Sequence, residues 1–419
     1  MAYSCKKDKN EGGDDGTYPN TFAEQSRSEK KGVGFAFQVV EDVDALGSAI
    51  SWSYNWGISQ SETYDASFAE YNLDYFPMAW NGVNETTLRN YIANHPKCKY
   101  ILAFNEPNLT DQANMTPSQA AEKWPQLKAI AKELGLKIIS PAMNNGTLAG
   151  YADPIKWLDE FFNLVPISDV DGIAIHCYMP AAAATKAFIE RFKKYDKPIW
   201  LTEFCAWDGN QVTRASQMKY MSDIINYMEA EPAVERYAWF IPRRNGKTEN
   251  DYPYMHLLTK TPPIQLTALG KIFVNMSTQD KKAWNIVGQI IEAEHYSSIC
   301  VVESVGVEGF VEGPYMRPTT DEEGILELCN FYPEQWVEYQ VQVPQTKTYT
   351  LTSRYACYHA SEADVLVDGK PAAFLSYPKT GEDNIWDTNI TALPLSKGKH
   401  TLRLKVTKGA LNLNWLSIK

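Results

Sequence analysis

The segment YILAFNEPN, residues 100–108, is an apolar run that stops abruptly at Asn105, Glu106, Pro107 and Asn108. A strand that only had to turn would end in Asn-Gly or Pro-Asp, so a carboxylate at its tip asks for a chemical reason. A second apolar run, PIWLTEFCAW at 198–207, carries Glu203 in the same kind of position. Two carboxyl groups facing each other suit the cleavage of a glycosidic bond. One protonates the leaving oxygen while the other attacks or assists at the anomeric carbon, and a separation of roughly 5–5.5 Å goes with retention of configuration.

Such a pair needs elements that carry both side chains to one place. From Gly34 onward eight short apolar runs (33–40, 49–57, 73–80, 100–108, 136–143, 171–179, 198–207 and 235–243) alternate with amphipathic segments. In segment 116–135 Thr116 suits an N-cap, Pro117 a first helical turn and Gly135 a stop. In segment 213–232 Met218, Met221, Ile224, Ile225 and Met228 recur at helical spacing. The alternation predicts an α/β fold, a closed (β/α)8 barrel. The competing open doubly wound sheet would want a glycine-rich phosphate turn after its first strand, and none is present.

In a barrel the C-terminal ends of the strands face the active site. Those ends gather Gln38, Tyr54, Asn55, Trp56, Trp80, Asn105, Glu106, Met143, Asn144, His176, Tyr178, Glu203 and Trp239. Glu106 closes the fourth strand and Glu203 the seventh, on opposite sides of the mouth. Asn105 is placed to hydrogen-bond a sugar hydroxyl or the nucleophile. His176 and Tyr178 share one strand face and can hold Glu203 ionised or touch substrate. Trp56, Trp80, Trp207 and Trp239 are expected to stack on sugar rings, Trp52 and Trp200 to pack, and Arg243 and Arg244 to be plain surface charges.

After about Met276 short alternating strands joined by DG, KGK and KGA turns replace the helices, as in an antiparallel β-sandwich. The expected domains are a flexible leader over 1–30, the barrel over 31–280 and the sandwich over 281–419. The chain is 44% hydrophobic and 22% charged, enough to bury a full core. A net charge of −11 and a pI near 5.2 leave no broad basic surface, which excludes nucleic acid as a partner. No apolar run approaches the roughly 18 residues of a membrane span. The seven cysteines form no CxxC pair, so neither a zinc ribbon nor a disulfide framework is indicated. A monomer is expected. Cys5 and its hydrophilic spacer resemble the start of a mature bacterial lipoprotein, which predicts export and a tether through Cys5.

The strings NEPN and TEF resemble the retaining glycoside hydrolases of clan A. Together with YNWG (54–57), AFNEPN (103–108), HCY (176–178) and LTEFCAW (201–207), they are similar to glycoside hydrolase family 128, a family of endo-β-1,3-glucanases, over roughly residues 31–275. The resemblance implies Glu106 as acid/base and Glu203 as nucleophile, Asn105, Trp56, Trp80, His176 and Tyr178 around them, and no cofactor for catalysis. Tyr54, Trp207 and Trp239 complete the expected substrate-binding set. Related barrels cut xylan, β-1,4-glucan or mixed-linkage glucan with the same two residues, and a barrel that only captures glycans is a further alternative.

The strings IEAEHY (291–296), WVEYQVQVP, VDGK and LNLNWLSIK resemble family 6 carbohydrate-binding modules over roughly 285–419. That resemblance implies Trp386 and Asn412 in a sugar cleft, with Tyr332 standing where the family has a Gly-Asp-Trp approach. It also implies Glu292 and Glu294 as ligands of a structural calcium ion, for which hard oxygen donors are suited. Solvated edge charges, and a sandwich that has lost sugar binding, are the alternatives.

Overall fold

The computed structural model describes residues 25–300 and 313–419; Cys5 and most of the expected leader lie outside the described residues. Eight strands, β1 (Lys31–Gly34), β2 (Trp52–Tyr54), β3 (Asp74–Tyr75), β4 (Tyr100–Leu102), β5 (Lys137–Ile139), β6 (Ile173–Cys177), β7 (Ile199–Phe204) and β8 (Val234–Trp239), carry the first domain. They alternate with α1 (Val40–Leu46), α2 (Asp65–Glu70), α3 (Glu85–Asn94), α4 (Pro117–Leu134), α5 (Pro154–Leu164), α6 (Ala182–Phe192), α7 (Arg214–Ala230) and α8 (Ala268–Asn275).

Strands β3-β2-β1-β8-β7-β6 form one parallel sheet and β4-β5 a second. Single bridges, Met78 to Leu102 on one side and Ile139 to Gly172 and Met143 to Ile175 on the other, join the two and close the barrel. Its interior is filled rather than hollow. Trp52, Phe76 and Trp200 meet there, the two indoles with ring centroids 5.5 Å apart. Room for them depends on Gly32, where a Cβ would come within 2.5 Å of the Trp52 ring. The α4 boundaries follow their sequence signals: Thr116 and Gln119 form a reciprocal capping box, and Gly135 closes the helix at φ 69°.

Twelve further strands build the second domain: β9 (Asn285–Ile286), β10 (Ile290–Glu292), β11 (Ser298–Ile299), β12 (Tyr315–Pro318), β13 (Leu326–Phe331), β14 (Trp336–Val343), β15 (Lys347–Ala356), β16 (Ser361–Val367), β17 (Lys370–Tyr377), β18 (Asp387–Leu395), β19 (Gly398–Lys408) and β20 (Leu411–Ile418). One sheet runs β12-β13-β20-β15-β18 with β10 on β20; the other runs β11-β14-β19-β16-β17 with β9 on β14. Along β14 burial alternates residue by residue, so one face of the strand fills the space between the sheets.

The two domains are not beads on a string. On α7, Ser222, Asp223 and Asn226 are buried although polar. The Met316 N–H donates to Ser222 Oγ at 3.2 Å. The Tyr296 hydroxyl donates to Asn226 Oδ1 at 2.7 Å, and Gln279 Nε2 donates to the Asn226 carbonyl at 2.8 Å. The end of the expected leader is also fixed, which corrects its reading as free chain up to residue 30. Gln25 Nε2 donates to the Tyr296 carbonyl at 2.9 Å, Ser26 Oγ to Asp280 at 2.6 Å, and Lys30 Nζ to the Met228 carbonyl at 2.8 Å. The Met228 carbonyl belongs to the last turn of α7, where no partner within the helix is available, so Lys30 saturates a group that water would otherwise solvate.

Tyr296→Phe deletes the hydroxyl and leaves buried Asn226 Oδ1 without that donor, a loss of about 1–3 kcal/mol. Urea unfolding followed by tryptophan fluorescence is expected to show one transition for both domains, moved to lower urea in the variant. Two separate transitions, the first unaffected by the substitution, would show that the domains are energetically independent.

Candidate active site

Glu106 leaves β4 with a left-handed backbone, φ 43°, and Trp56 leaves β2 at φ 64°. Non-glycine residues held there are strained by about 1–3 kcal/mol and gather at functional sites. Neighbouring strand ends hold the β4 turn: the Asn105 N–H donates to the Trp80 carbonyl at 2.8 Å and the Glu106 N–H to the Ala142 carbonyl at 3.0 Å.

Glu203 reaches the mouth by a different device. Trp200 points into the barrel, so a regular strand of period two would send Glu203 outward. Strand β7 instead contains an extra residue relative to both neighbours: Ile175 pairs Leu201 but His176 pairs Glu203, and Leu201 pairs Tyr237 but Phe204 pairs Trp239. This β-bulge at Thr202 and Glu203 turns the carboxylate inward.

The result is a compact cluster. His176 Nδ1 lies 2.9 Å from Glu106 Oε1 and 3.4 Å from Glu203 Oε2. Each of the three side chains offers an atom within 4.8 Å of the other two. Glu203 Oε1 accepts the Tyr54 hydroxyl at 3.0 Å and the Trp56 indole N–H at 2.7 Å, and its Oε2 accepts the Tyr178 hydroxyl. Glu106 Oε1 also accepts Asn144 Nδ2 at 2.9 Å. Three groups this close could also gather a cation. Three donors already take three of the roughly four lone-pair sites of Glu203, which leaves room on Oε2 for one bond rather than for the shared oxygen ligation a cation needs.

Burial sets the charges. Desolvation alone would lower His176, but the Glu203 and Glu106 carboxylates outweigh it and hold the imidazole above its usual range. Desolvation pushes Glu203 up; the charge of His176 opposes this, and the charge of Glu106 adds to it. Desolvation also pushes Glu106 up, but the hydrogen bonds from His176 and Asn144 outweigh it and hold that carboxyl below its usual range. Tyr54 and Tyr178 are driven well above the ordinary phenol range by burial and by Glu203, so both remain donors at any working pH. The two carboxyls therefore titrate as one unit.

Several expected residues lie elsewhere or act otherwise. Trp239 is no stacking platform. Ala238 takes the inward place on β8, which sends Trp239 outward, fully buried, with its indole N–H on the Met255 carbonyl at 2.8 Å. Phe240 stands at the mouth instead, its ring 5.4 Å from Tyr178 and 5.9 Å from Trp56. Trp80 is half-buried against the barrel interior, and Trp207 stands edge-on to Tyr178 at 6.0 Å. Asn105 donates to Gln112 at 3.1 Å, and its buried Oδ1 has no partner. Arg243 is not a surface charge: it is buried and pairs with fully buried Asp42 at 2.6 Å, tying the loop after β8 to α1. Arg244 is exposed, as expected.

In the sandwich, Asn412 is committed to the fold rather than left for a sugar. Its Nδ2 donates to the Asp383 carbonyl at 2.8 Å and its Oδ1 accepts the Asn330 N–H at 3.1 Å. Trp386 is half-buried, with its indole N–H on Thr320 Oγ1 at 3.0 Å. Tyr332 is 49% exposed, and Tyr358, which the sequence reading missed, is 59% exposed. Both stand at the same sheet end, since Phe331 pairs with Leu411 and Ala356 with Asn412 on either side of β20. Glu292 pairs with Trp415 across β10 and β20, and Glu294 is almost wholly buried.

Residues 32–273 match the family Glycosyl hydrolase catalytic core, and residues 310–419 match Carbohydrate binding module (family 6). The fold is similar to the crystal structure of a GH128 (subgroup II) endo-beta-1,3-glucanase from Pseudomonas viridiflava, with 34% identity, 59% of this chain and 98% of that chain covered and a TM-score of 0.54. A second such enzyme, from Sorangium cellulosum, gives 32% identity, 58% and 97% coverage and a TM-score of 0.53. A curated relative, Alkali-sensitive linkage protein 1 of Schizosaccharomyces pombe, is 28% identical over 206 residues, which are 47% of this chain and 35% of that protein. The chain thus spans about a third of that relative's length. Since the catalytic-core match takes in more than half of the chain, and the P. viridiflava enzyme is covered almost end to end, the chain belongs to the glycosyl hydrolase catalytic core family and to glycoside hydrolase family 128.

Proposed function

We propose that this protein is a retaining endo-β-1,3-glucanase that cleaves β-glucan by double displacement, with Glu106 as acid/base and Glu203 as nucleophile. The carrying observation is the pair of buried carboxylates with oxygens within 4.8 Å of each other, close enough for a covalent intermediate. The substrate follows the family 128 relatives from P. viridiflava and S. cellulosum, both endo-beta-1,3-glucanases.

The geometry supports the chemistry step by step. Glu106 gives its proton to the glycosidic oxygen as the bond to the anomeric carbon breaks, and that bond's electron pair leaves with the departing sugar. Glu203 closes on the same carbon, its charge held in place by Tyr54, Trp56 and Tyr178. Glu106 then takes a proton from water, which releases the sugar from Glu203. His176 stands between the carboxylates, so a small shift of its Nδ1 hydrogen bond from Glu106 to Glu203 moves the favoured proton site to Glu106. Asn105 Oδ1, buried and unpaired, is suited to a sugar hydroxyl. Trp56, Trp80, Trp207 and Phe240 supply apolar surface beside it, and none of these steps needs a cofactor.

The sandwich would keep the polymer near the mouth, raising its effective concentration without touching the chemistry. Trp386, Tyr332 and Tyr358 are the side chains we assign to that grip, with the domain limits near residues 30 and 280. Export to the cell surface suits an enzyme whose substrate is a polymer. No described helix is long and apolar enough to cross a membrane. The donor set also fits a structural calcium ion held by Glu292 and Glu294. Glu294 Oε2 and Asn414 Oδ1 are buried without partners, and burial above all, with the charge of Glu292, pushes the Glu294 carboxyl up to about 8.

Glu203→Gln is expected to abolish hydrolysis of laminarin with the fold and binding intact. Glu106→Gln is expected to be nearly inactive on laminari-oligosaccharides yet active on an aryl glycoside with a good leaving group. Proton NMR of fresh wild-type product is expected to show the β anomer; an initial α anomer would mean inversion and a misassigned pair.

The raised imidazole of His176 has a consequence for stability. Its contribution is fully present below about pH 6.5, the unfolded value, and is lost as pH rises through the higher folded value. Glu203, also raised, acts in the same direction. Denaturant unfolding is therefore expected to show a larger stability gap between wild type and His176→Asn at pH 5.5 than at pH 8.5. A gap that widens with pH would contradict a charged imidazole. For calcium, Tm in millimolar calcium is expected to exceed Tm in a chelator; identical values would remove the ion from the sandwich.

A further inference from the structure

Two donors converge on one atom of Glu106. His176 Nδ1 and Asn144 Nδ2 each lie 2.9 Å from Oε1, one from β6 and the other from the segment beyond β5. An oxygen that already accepts two hydrogen bonds is a poor seat for a proton.

The orientation of the Asn144 amide is fixed independently of Glu106. Its Oδ1 accepts the N–H of Asn145 at 2.8 Å, so the nitrogen is the end that faces Glu106. Its backbone carbonyl accepts Asn108 Nδ2 at 2.7 Å. Asn108 is fully buried, and its own carbonyl accepts the N–H groups of Thr147 and Leu148 at 3.0 and 2.9 Å. Gly146 permits this stitch: a Cβ there would fall 2.6 Å from Asn108 Nδ2 and 2.2 Å from the Tyr151 carbonyl. The last residue of NEPN thus anchors the loop that carries Asn144, two strands' ends being locked around one carboxyl.

We infer that Asn144 is a positioning residue for the acid/base: its bond keeps Oε1 the accepting oxygen even when the His176 bond shifts toward Glu203, so that Oε2 is the atom that delivers the proton and later takes one from water. This rests on the assignment of Glu106 given above. As the proton leaves Oε2 for the glycosidic oxygen, the freed electron pair spreads onto Oε1, the bond from Asn144 becomes charge-assisted and stronger, and the His176 bond returns from Glu203 to Oε1. The interaction therefore tightens as the first transition state forms, the condition for lowering its barrier. It matters most when the leaving group is poor and the acid must do the most.

The charged and titratable groups that face Glu106 are His176, Glu203 and the phenols of Tyr54 and Tyr178. All four stay in place when only Asn144 is changed. Removing a donor from a carboxylate favours its protonated form.

The test is kcat/KM against pH for the full chain and for Asn144→Leu and Asn144→Asp, on laminari-oligosaccharide and on an aryl β-glucoside with a good leaving group. The alkaline limb of Asn144→Leu is expected to move up by about half to one pH unit. Its rate on oligosaccharide is expected to fall about 10–100-fold, and its rate on the aryl substrate by less than about threefold. Asn144→Asp, nearly isosteric, is expected to move the limb further up, and it decides the matter if the leucine variant folds poorly. An unmoved limb with equal loss on both substrates in Asn144→Asp would reduce Asn144 to a loop brace and overturn the inference. Glu106→Gln in the same assay separates the two layers. Inactivity there with an unmoved Asn144 limb removes only the role of Asn144, whereas full activity of Glu106→Gln on oligosaccharide removes the acid/base assignment and this inference together.

Discussion

Two carboxylates within 4.8 Å in a buried pocket repel each other, and the architecture around them is organised to make that juxtaposition bearable. Alone they would expel one charge by binding a proton. His176 stands between them as a shared cation, and the donors on Glu203 and Glu106 replace the water each has lost. These donors come from β2, from beyond β5 and from β6, so no single element carries the site. A closed barrel is the arrangement that lets strand ends from opposite sides meet over one point.

The barrel supplies this at a local cost in backbone regularity. Glu106 and Trp56 sit in left-handed conformations, and β7 carries a bulge, all within the cluster itself. Beneath them the interior is packed by Trp52, Phe76 and Trp200, a rigid floor that holds strained residues where relaxed ones would drift. The buried Asp42–Arg243 pair braces the rim by joining the first helix to the last loop.

What the sequence could show was what repeats. Eight apolar runs, the Thr116 cap, the Gly135 stop and the alternation along β14 are local patterns with local causes, and the fold followed from them. Glu106 and Glu203 were legible because a carboxylate at the end of an apolar strand has no packing reason to be there. What stayed hidden depended on parity or on distant partners. A bulge at Thr202 leaves no mark in a string of residues, and the inward place of Ala238, which turns Trp239 away and leaves Phe240 at the mouth, is set by register with β7 and β1. Arg243 looked solvated because Asp42, its partner, is 201 positions away. The polar stretch of α7 looked like a surface because the sandwich that covers Ser222 and Asn226 lies far along the chain.

The entry of the chain into the barrel has a geometric consequence. Residues 25–30 run into the start of β1, and strands of a barrel begin on the face opposite to the one where Glu106 and Glu203 emerge. Bonds from Gln25, Ser26 and Lys30 pin that stretch to both domains rather than letting it swivel. The described chain therefore begins on the side of the barrel away from Glu106 and Glu203, and its first residues leave the mouth clear for incoming polymer.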